Sequence, residues 1–275
     1  MERKPRVALL IDADNSPASK IDLILNELST FGETNIRRAY GNWKKSELKG
    51  WEEVLHEHAI RPMQQFDYTK GKNASDMAMV IDALELLYTD RPDAFGIVSS
   101  DADFTPLVMH LRAKGAAVYG FGAQKTPEPF VNACSRFLYM ERLGAGDGSE
   151  MVQAEPALAS TPTPGILGTA TTSVVPSPVK TAQALRVPAE ELKKDLKLVS
   201  LLRGAVIACE DEGGWSKVGA VRAHIGNKAS FDSRNYGYAT LSKLLTATGA
   251  FELRDEGTPK VNVRDKRHHL SFISK

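Results

Sequence analysis

Two short apolar runs followed by paired acids limit what this chain can fold into. Val7–Ile11 leads into Asp12-Ala13-Asp14-Asn15, and Phe95–Val98 leads through Ser99-Ser100 into Asp101-Ala102-Asp103. An uninterrupted apolar run of this length is the pattern of a strand buried on both faces of a parallel sheet. Between and after these runs the periodicity switches repeatedly to that of a helix. Ser16-Pro17 reads as an N-cap with proline at the first helical position, ahead of a stripe at Ile21, Ile24, Leu25 and Leu28. A strand is predicted over Asn35–Tyr40, a helix over Ser46–His58 and a short strand over Arg61–Phe66. A helix over Ser75–Tyr88 follows, then a helix over Pro106–Lys114 and a strand over Ala116–Phe121. Such β-α repeats predict an α/β three-layer sandwich with a mostly parallel sheet and right-handed crossovers.

The composition breaks after Leu143. From Gly144 to Pro188 the chain is mainly Gly, Ala, Ser, Thr and Pro, which cannot bury enough apolar surface to offset the entropy of ordering it. The expected organisation is therefore a domain over 1–143, a flexible linker over 144–188 and a second domain over 189–275. Charge separates the two domains. Residues 1–143 carry 18 Lys and Arg against 20 Asp and Glu, whereas residues 189–275 carry 15 against 11. The mildly basic second domain suits a polyanionic partner.

In an open parallel sheet the functional crevice lies beyond the carboxyl ends of the strands. This sequence places Asp12, Asp14, Asp101 and Asp103 there, with Asp76 opening the third long helix. Two like charges ~4 Å apart repel by about 4 kcal/mol near a protein surface. A hard divalent cation such as Mg²⁺, which takes carboxylate oxygens while keeping water and phosphate oxygens, would relieve that repulsion. The chemistry such a cluster suggests is metal-assisted phosphodiester hydrolysis. Each acid also has a plainer role: Asp14 and Asn15 suit the turn before Ser16, Asp76 suits a helix's first turn, and Asp103 suits a cap for the helix begun by Pro106.

Val-Ala-Leu-Leu-Ile-Asp12-Ala-Asp-Asn15, Tyr40-Gly-Asn-Trp43, Asn-Ala-Ser-Asp76 and Ser-Ser-Asp101-Ala-Asp103-Phe104 together resemble the NYN domain of the LabA-like branch, across roughly residues 5–142. The resemblance implies a PIN-like nuclease fold whose acidic pocket binds Mg²⁺ or Mn²⁺ and acts on RNA. It implies Asp12, Asp76 and Asp101 as the principal metal-binding acids, Asp103 as a further ligand or water-positioning group, and Asn15 as an organiser of the pocket. Lys70, Lys72 and Arg38 are candidate holders of the RNA backbone. Trp43 is a candidate for base stacking, with core packing as its alternative.

The second domain shows three helical stripes followed by two short strands, Phe251–Arg254 and Val261–Arg264, the order of a winged helix-turn-helix. Arg-Asn-Tyr-Gly-Tyr238 and Phe-Glu-Leu-Arg254 make residues 190–266 resemble the OST-HTH/LOTUS domain. That resemblance implies a partner that is RNA or, alternatively, a helicase-type protein. Candidate RNA contacts are Lys217, Arg222, Arg234, Lys243, Arg264, Lys266 and Arg267. Tyr236 and Tyr238 read as packing residues.

The expected function is a metal-dependent endoribonuclease fed by an RNA-binding module. Two alternatives stand beside it. One is a non-catalytic RNA-binding adaptor. The other is a haloacid-dehalogenase-type phosphatase, in which Asp12 would be the nucleophile, Asp14 the acid and Ser16 a phosphate-binding hydroxyl. Only Cys134 and Cys209 occur, without metal-site spacing, and no apolar run approaches the ~20 residues of a membrane span. A cytoplasmic protein is expected; its oligomeric state is not readable.

Overall fold

A computed structural model describes residues 3–66, 74–144, 186–258 and 260–267. The expected linker falls largely outside the described residues, as do Lys70 and Lys72.

The first domain is built on a six-stranded sheet in the order β3-β2-β1-β4-β5-β6, every pair parallel. Its strands are β1 (Arg6–Asp12), β2 (Glu33–Gly41), β3 (Arg61–Gln64), β4 (Ala94–Val98), β5 (Ala117–Gly122) and β6 (Arg136–Tyr139). The chain builds outward from β1 in one direction, then returns to its other side as β4. This makes the β1/β4 junction the topological switch point, where an open α/β sheet forms its crevice. Val7, Leu9 and Ile11 face one apolar layer while Ala8 and Leu10 face the other, and all five are fully buried. Burial on both faces is why this strand reads as an unbroken apolar run.

Helices cover both faces. α1 (Ile21–Ser29) and α2 (Glu52–Glu57) lie on the Leu9 side, while α3 (Ala74–Thr89), α4 (Thr105–Ala113) and α5 (Glu128–Ala133) lie on the Leu10 side. Three details differ from expectation. Ser16 does not cap α1: it is buried, and its hydroxyl donates to the Val98 carbonyl at 3.4 Å, so the helix enters through a 3₁₀ turn at Ala18–Lys20. The predicted Ser46–His58 helix is 3₁₀ over Ser46–Trp51 and α-helical only as α2, with Gly50, a poor helix former, in its first half. The strand β6 was not foreseen, because four residues with an exposed-looking arginine carry too little periodicity.

The second domain contains α6 (Ala189–Lys194), α7 (Leu196–Ala208), α8 (Val218–Lys228) and α9 (Leu241–Thr248) around Leu198, Leu202, Val221, Ile225, Leu244 and Leu245. Its wing has three strands in the order β7-β9-β8, because β7 (Ser216–Lys217) adds to β8 (Phe251–Arg254) and β9 (Asn262–Asp265). Tyr238 is buried and its hydroxyl donates to the Val187 carbonyl at 2.9 Å, which ties residue 187 to the domain.

Candidate active site

Asp12 is the last residue of β1 and is 1% exposed. Both its oxygens accept from the Asn15 side-chain amide, at 3.3 and 3.0 Å, and Oδ2 also accepts from the Ser99 hydroxyl at 3.0 Å. Burial pushes the Asp12 carboxyl above its ordinary pKa, an effect the Asn15 and Ser99 hydrogen bonds oppose and the neighbouring Asp14 charge reinforces. Ser99 follows β4 and is fully buried. Its oxygen also accepts from the Asp101 backbone N–H at 3.1 Å, so one side chain joins the ends of β1 and β4. Asp101 Oδ1 in turn accepts from the Asp103 N–H at 2.8 Å, capping the 3₁₀ turn Ala102–Phe104.

The close approach of β5 depends on Gly122. A Cβ there would come within 2.7 Å of the Ser99 carbonyl and 2.6 Å of the Thr126 hydroxyl. Asn15, Ser100, Asp101, Ala102, Ala123, Lys125 and Pro127 line a crevice of ≈ 400 Å³ at this junction. Lys125 brings a positive charge to its rim.

Asp76, in the first turn of α3, faces the same acids. Partial burial pushes its pKa up to about 6, and the charges of Asp12, Asp101, Asp14 and Asp103 push in the same direction. The structure therefore brings the acids from three separated segments into one field. Their all-oxygen donor set and their mutual repulsion fit a hard divalent cation. Among the described residues no three acidic, histidine or cysteine side chains form a ready-made cation cage. An ion here would complete its shell with water or substrate oxygens, as Mg²⁺ ordinarily does.

Several candidates are committed elsewhere. Arg38 pairs with the buried Asp82 of α3, which also accepts from the Tyr40 hydroxyl, so Arg38 braces β2 against α3. Trp43 packs on the Leu48 and Trp51 side of the core and its Nε1 is buried, leaving its ring poorly placed to stack a base. Lys45 pairs with Asp14 at 3.2 Å and offsets part of that acid's charge. In the second domain Lys217, Arg222, Lys243, Lys266 and Arg267 are exposed, with Lys266 Nζ donating to the Gly249 carbonyl at 3.1 Å. Arg264 pairs with Glu252 at 2.8 Å and lies 4.5 Å from the Trp215 ring centre. Arg234 pairs with Asp232 and with Glu27 of the first domain. Asp82 and Lys125 carry no motif that marks them, whereas Ser99 falls in the Ser-Ser-Asp101 motif, two residues before an expected acid.

Comparison with known proteins agrees with the two-part organisation. Residues 6–141 match the NYN domain and residues 192–263 match the OST-HTH/LOTUS domain. An uncharacterized protein of Methanocaldococcus jannaschii is 32% identical over 123 residues, covering 43% of this chain. This chain thus spans about half, 48%, of that relative's length. A crystal structure of a protein of unknown function from Vibrio parahaemolyticus aligns with a TM-score of 0.42 at 18% identity, over 50% of this chain and 94% of that one. A UDP-N-acetylglucosamine 2-epimerase aligns with a TM-score of 0.36 at 12% identity, over 50% and 40%.

Proposed function

Because this chain pairs an NYN domain, a member of the nuclease superfamily, with an OST-HTH/LOTUS domain, we propose that it is a metal-dependent ribonuclease. It hydrolyses RNA phosphodiester bonds at the β1/β4 crevice, with RNA held by the C-terminal domain. The observation that carries this reading is the convergence of acids at the switch point, where burial first and then the charges of Asp12, Asp101, Asp14 and Asp103 push the Asp76 pKa up to about 6.

Asp12, Asp76 and Asp101 would hold Mg²⁺ or Mn²⁺, and Asp103 would hold it or orient water. The bound ion would lower the pKa of water and neutralise charge on the phosphate. The protein's own groups prepare for that. Asn15 and Ser99 fix both oxygens of Asp12, so this acid cannot rotate away from the crevice. The Asp103 N–H fixes one oxygen of Asp101 and leaves the other for a ligand. Lys125 stands at the crevice to meet a phosphate.

The phosphatase alternative would need the Ser16 hydroxyl for phosphate. Ser16 is buried and already donates to Val98, which disfavours that chemistry. The proposed function is tested by offering single-stranded RNA to the full chain with Mg²⁺ or Mn²⁺. Cleavage that disappears in Asp101→Asn supports it, and cleavage that persists in that variant contradicts the pocket assignment.

A further inference from the structure

The turn that carries the most distinctive residues of the second domain is used against the first. Asn235 sits at the open edge of the six-stranded sheet, beside β6. Its amide donates to the Phe137 carbonyl at 2.8 Å and its oxygen accepts from the Tyr139 N–H at 3.1 Å. One side chain thereby supplies two hydrogen bonds that a further strand would have made on this edge. Next to it the Arg234 guanidinium forks between Glu27 of α1 and Asp232 of its own turn, and Arg136 of β6 reaches Asp232 at 3.7 Å. The Asp232 side chain is 4% exposed and that of Glu27 10%. Arg136 lies 5.0 Å from the ring centre of Phe31, which stacks on Tyr119. The contact is thus alternately charged, bidentate and continuous with the core of the sheet.

The tether does not force the contact. Forty-one residues separate Gly144 from Arg186, a span of about 140 Å if extended. From these observations we infer that Asp232, Arg234 and Asn235 form a docking motif. Through it the LOTUS domain clamps in cis onto the β6 edge, and the two domains work as one body.

The Asn235 contact reaches the Tyr139 end of β6, the same end of the sheet as Asp12 and Asp101, while Asp232 meets Arg136 at the strand's start. β6 stands two strands from β4, about 10 Å away. A docked second domain therefore holds its surface at a fixed offset from the acidic crevice. If that crevice cuts RNA, as proposed above, cleavage falls at a constant distance from the bound segment.

The test is hydrogen exchange at the Tyr139 amide in the full-length protein, compared with Glu27→Arg and Asn235→Ala. It needs neither RNA nor metal, so it stands or falls apart from the nuclease reading. Glu27 is on α1 and does not touch Tyr139, so its variant reports docking rather than one lost bond. Docking predicts that Tyr139 is protected in the native chain and exchanges at least tenfold faster in both variants. The paired Glu27→Arg, Arg234→Glu chain should recover part of the protection. An unprotected Tyr139 in the native chain, or protection unchanged in Glu27→Arg, overturns the proposal. Protection that falls on dilution also overturns it, because the domain would then be docking onto a second copy.

Discussion

The Ser99 hydroxyl donates to Asp12 at 3.0 Å while its oxygen receives the Asp101 N–H at 3.1 Å. A single buried side chain therefore sets the spacing of the two strand-end acids. Ser99→Ala leaves the Asp101 amide without that acceptor and removes a bond that lowers the Asp12 pKa. Loss of a buried hydrogen-bonded group costs about 1–3 kcal/mol. Urea unfolding should show that loss, and the acid limb of the pH–activity profile should move upward. A profile and stability both unchanged would mean Ser99 is a bystander.

Asp76 makes the stability of the metal-free protein depend on pH. Its folded pKa, about 6, lies above the ordinary carboxylate value of 3.8 that it takes in the unfolded chain. Between these values the folded state binds more protons than the unfolded state, so this group's contribution to stability falls as pH rises from about 4 through 6. Asp76→Asn should therefore stabilise the metal-free protein at pH 7 and leave it little changed at pH 4. Added Mn²⁺ should raise the melting temperature of the native chain, with stabilisation near 2.7 kcal/mol at about a hundred times the dissociation constant, and should do so much less in Asp76→Asn. Equal Mn²⁺ shifts in the two proteins would remove Asp76 from the cation site.

The buried Asp82 predicts how Arg38 behaves when removed. Arg38→Ala strands a carboxylate whose side chain is 11% exposed. Breaking a buried pair from one side costs about 3–5 kcal/mol, and the low end applies because the Arg38 side chain is 22% exposed. The folded protein should keep its RNA affinity. A selective loss of RNA binding without destabilisation would restore Arg38 to the RNA surface.

These cases show where the sequence was readable. Asp12, Asp101 and Asp76 stood out because each is fixed by its own element: a strand end, a second strand end and a helix's first turn. The roles of Ser99, Arg38 and Arg234 were not legible, and the two arginines read as RNA contacts, because those roles are set by partners far along the chain. Arg38 meets Asp82 across 44 residues and Arg234 meets Glu27 across 207. An arginine two residues before a tyrosine reads the same in sequence whether it faces RNA, a buried acid or another domain. The parallel sheet was legible from its doubly buried strands, while β6 was too short to show a period.

With Arg234 committed to docking, exposed cations of the second domain are the better RNA contacts. Replacing Lys217, Arg222 and Arg267 with alanine should weaken single-stranded RNA binding evenly across sequences. Each lost phosphate contact should reduce the slope of log affinity against log salt by about 0.7. Titrations at several salt concentrations check this. An unchanged slope would place the RNA elsewhere.

The most direct test is the single-turnover rate at which the full chain cuts internally labelled single-stranded RNA. It should be measured with Mn²⁺, with Mg²⁺ and with EDTA, beside Asp12→Asn and Asp76→Asn. The account predicts internal cleavage with either ion, none with EDTA, and a rate at least about a hundredfold lower in each variant, the scale at which lost electrostatic stabilisation is felt in catalysis. RNA that is bound but uncut by the native chain under every condition, or cut equally well by both variants, would contradict it.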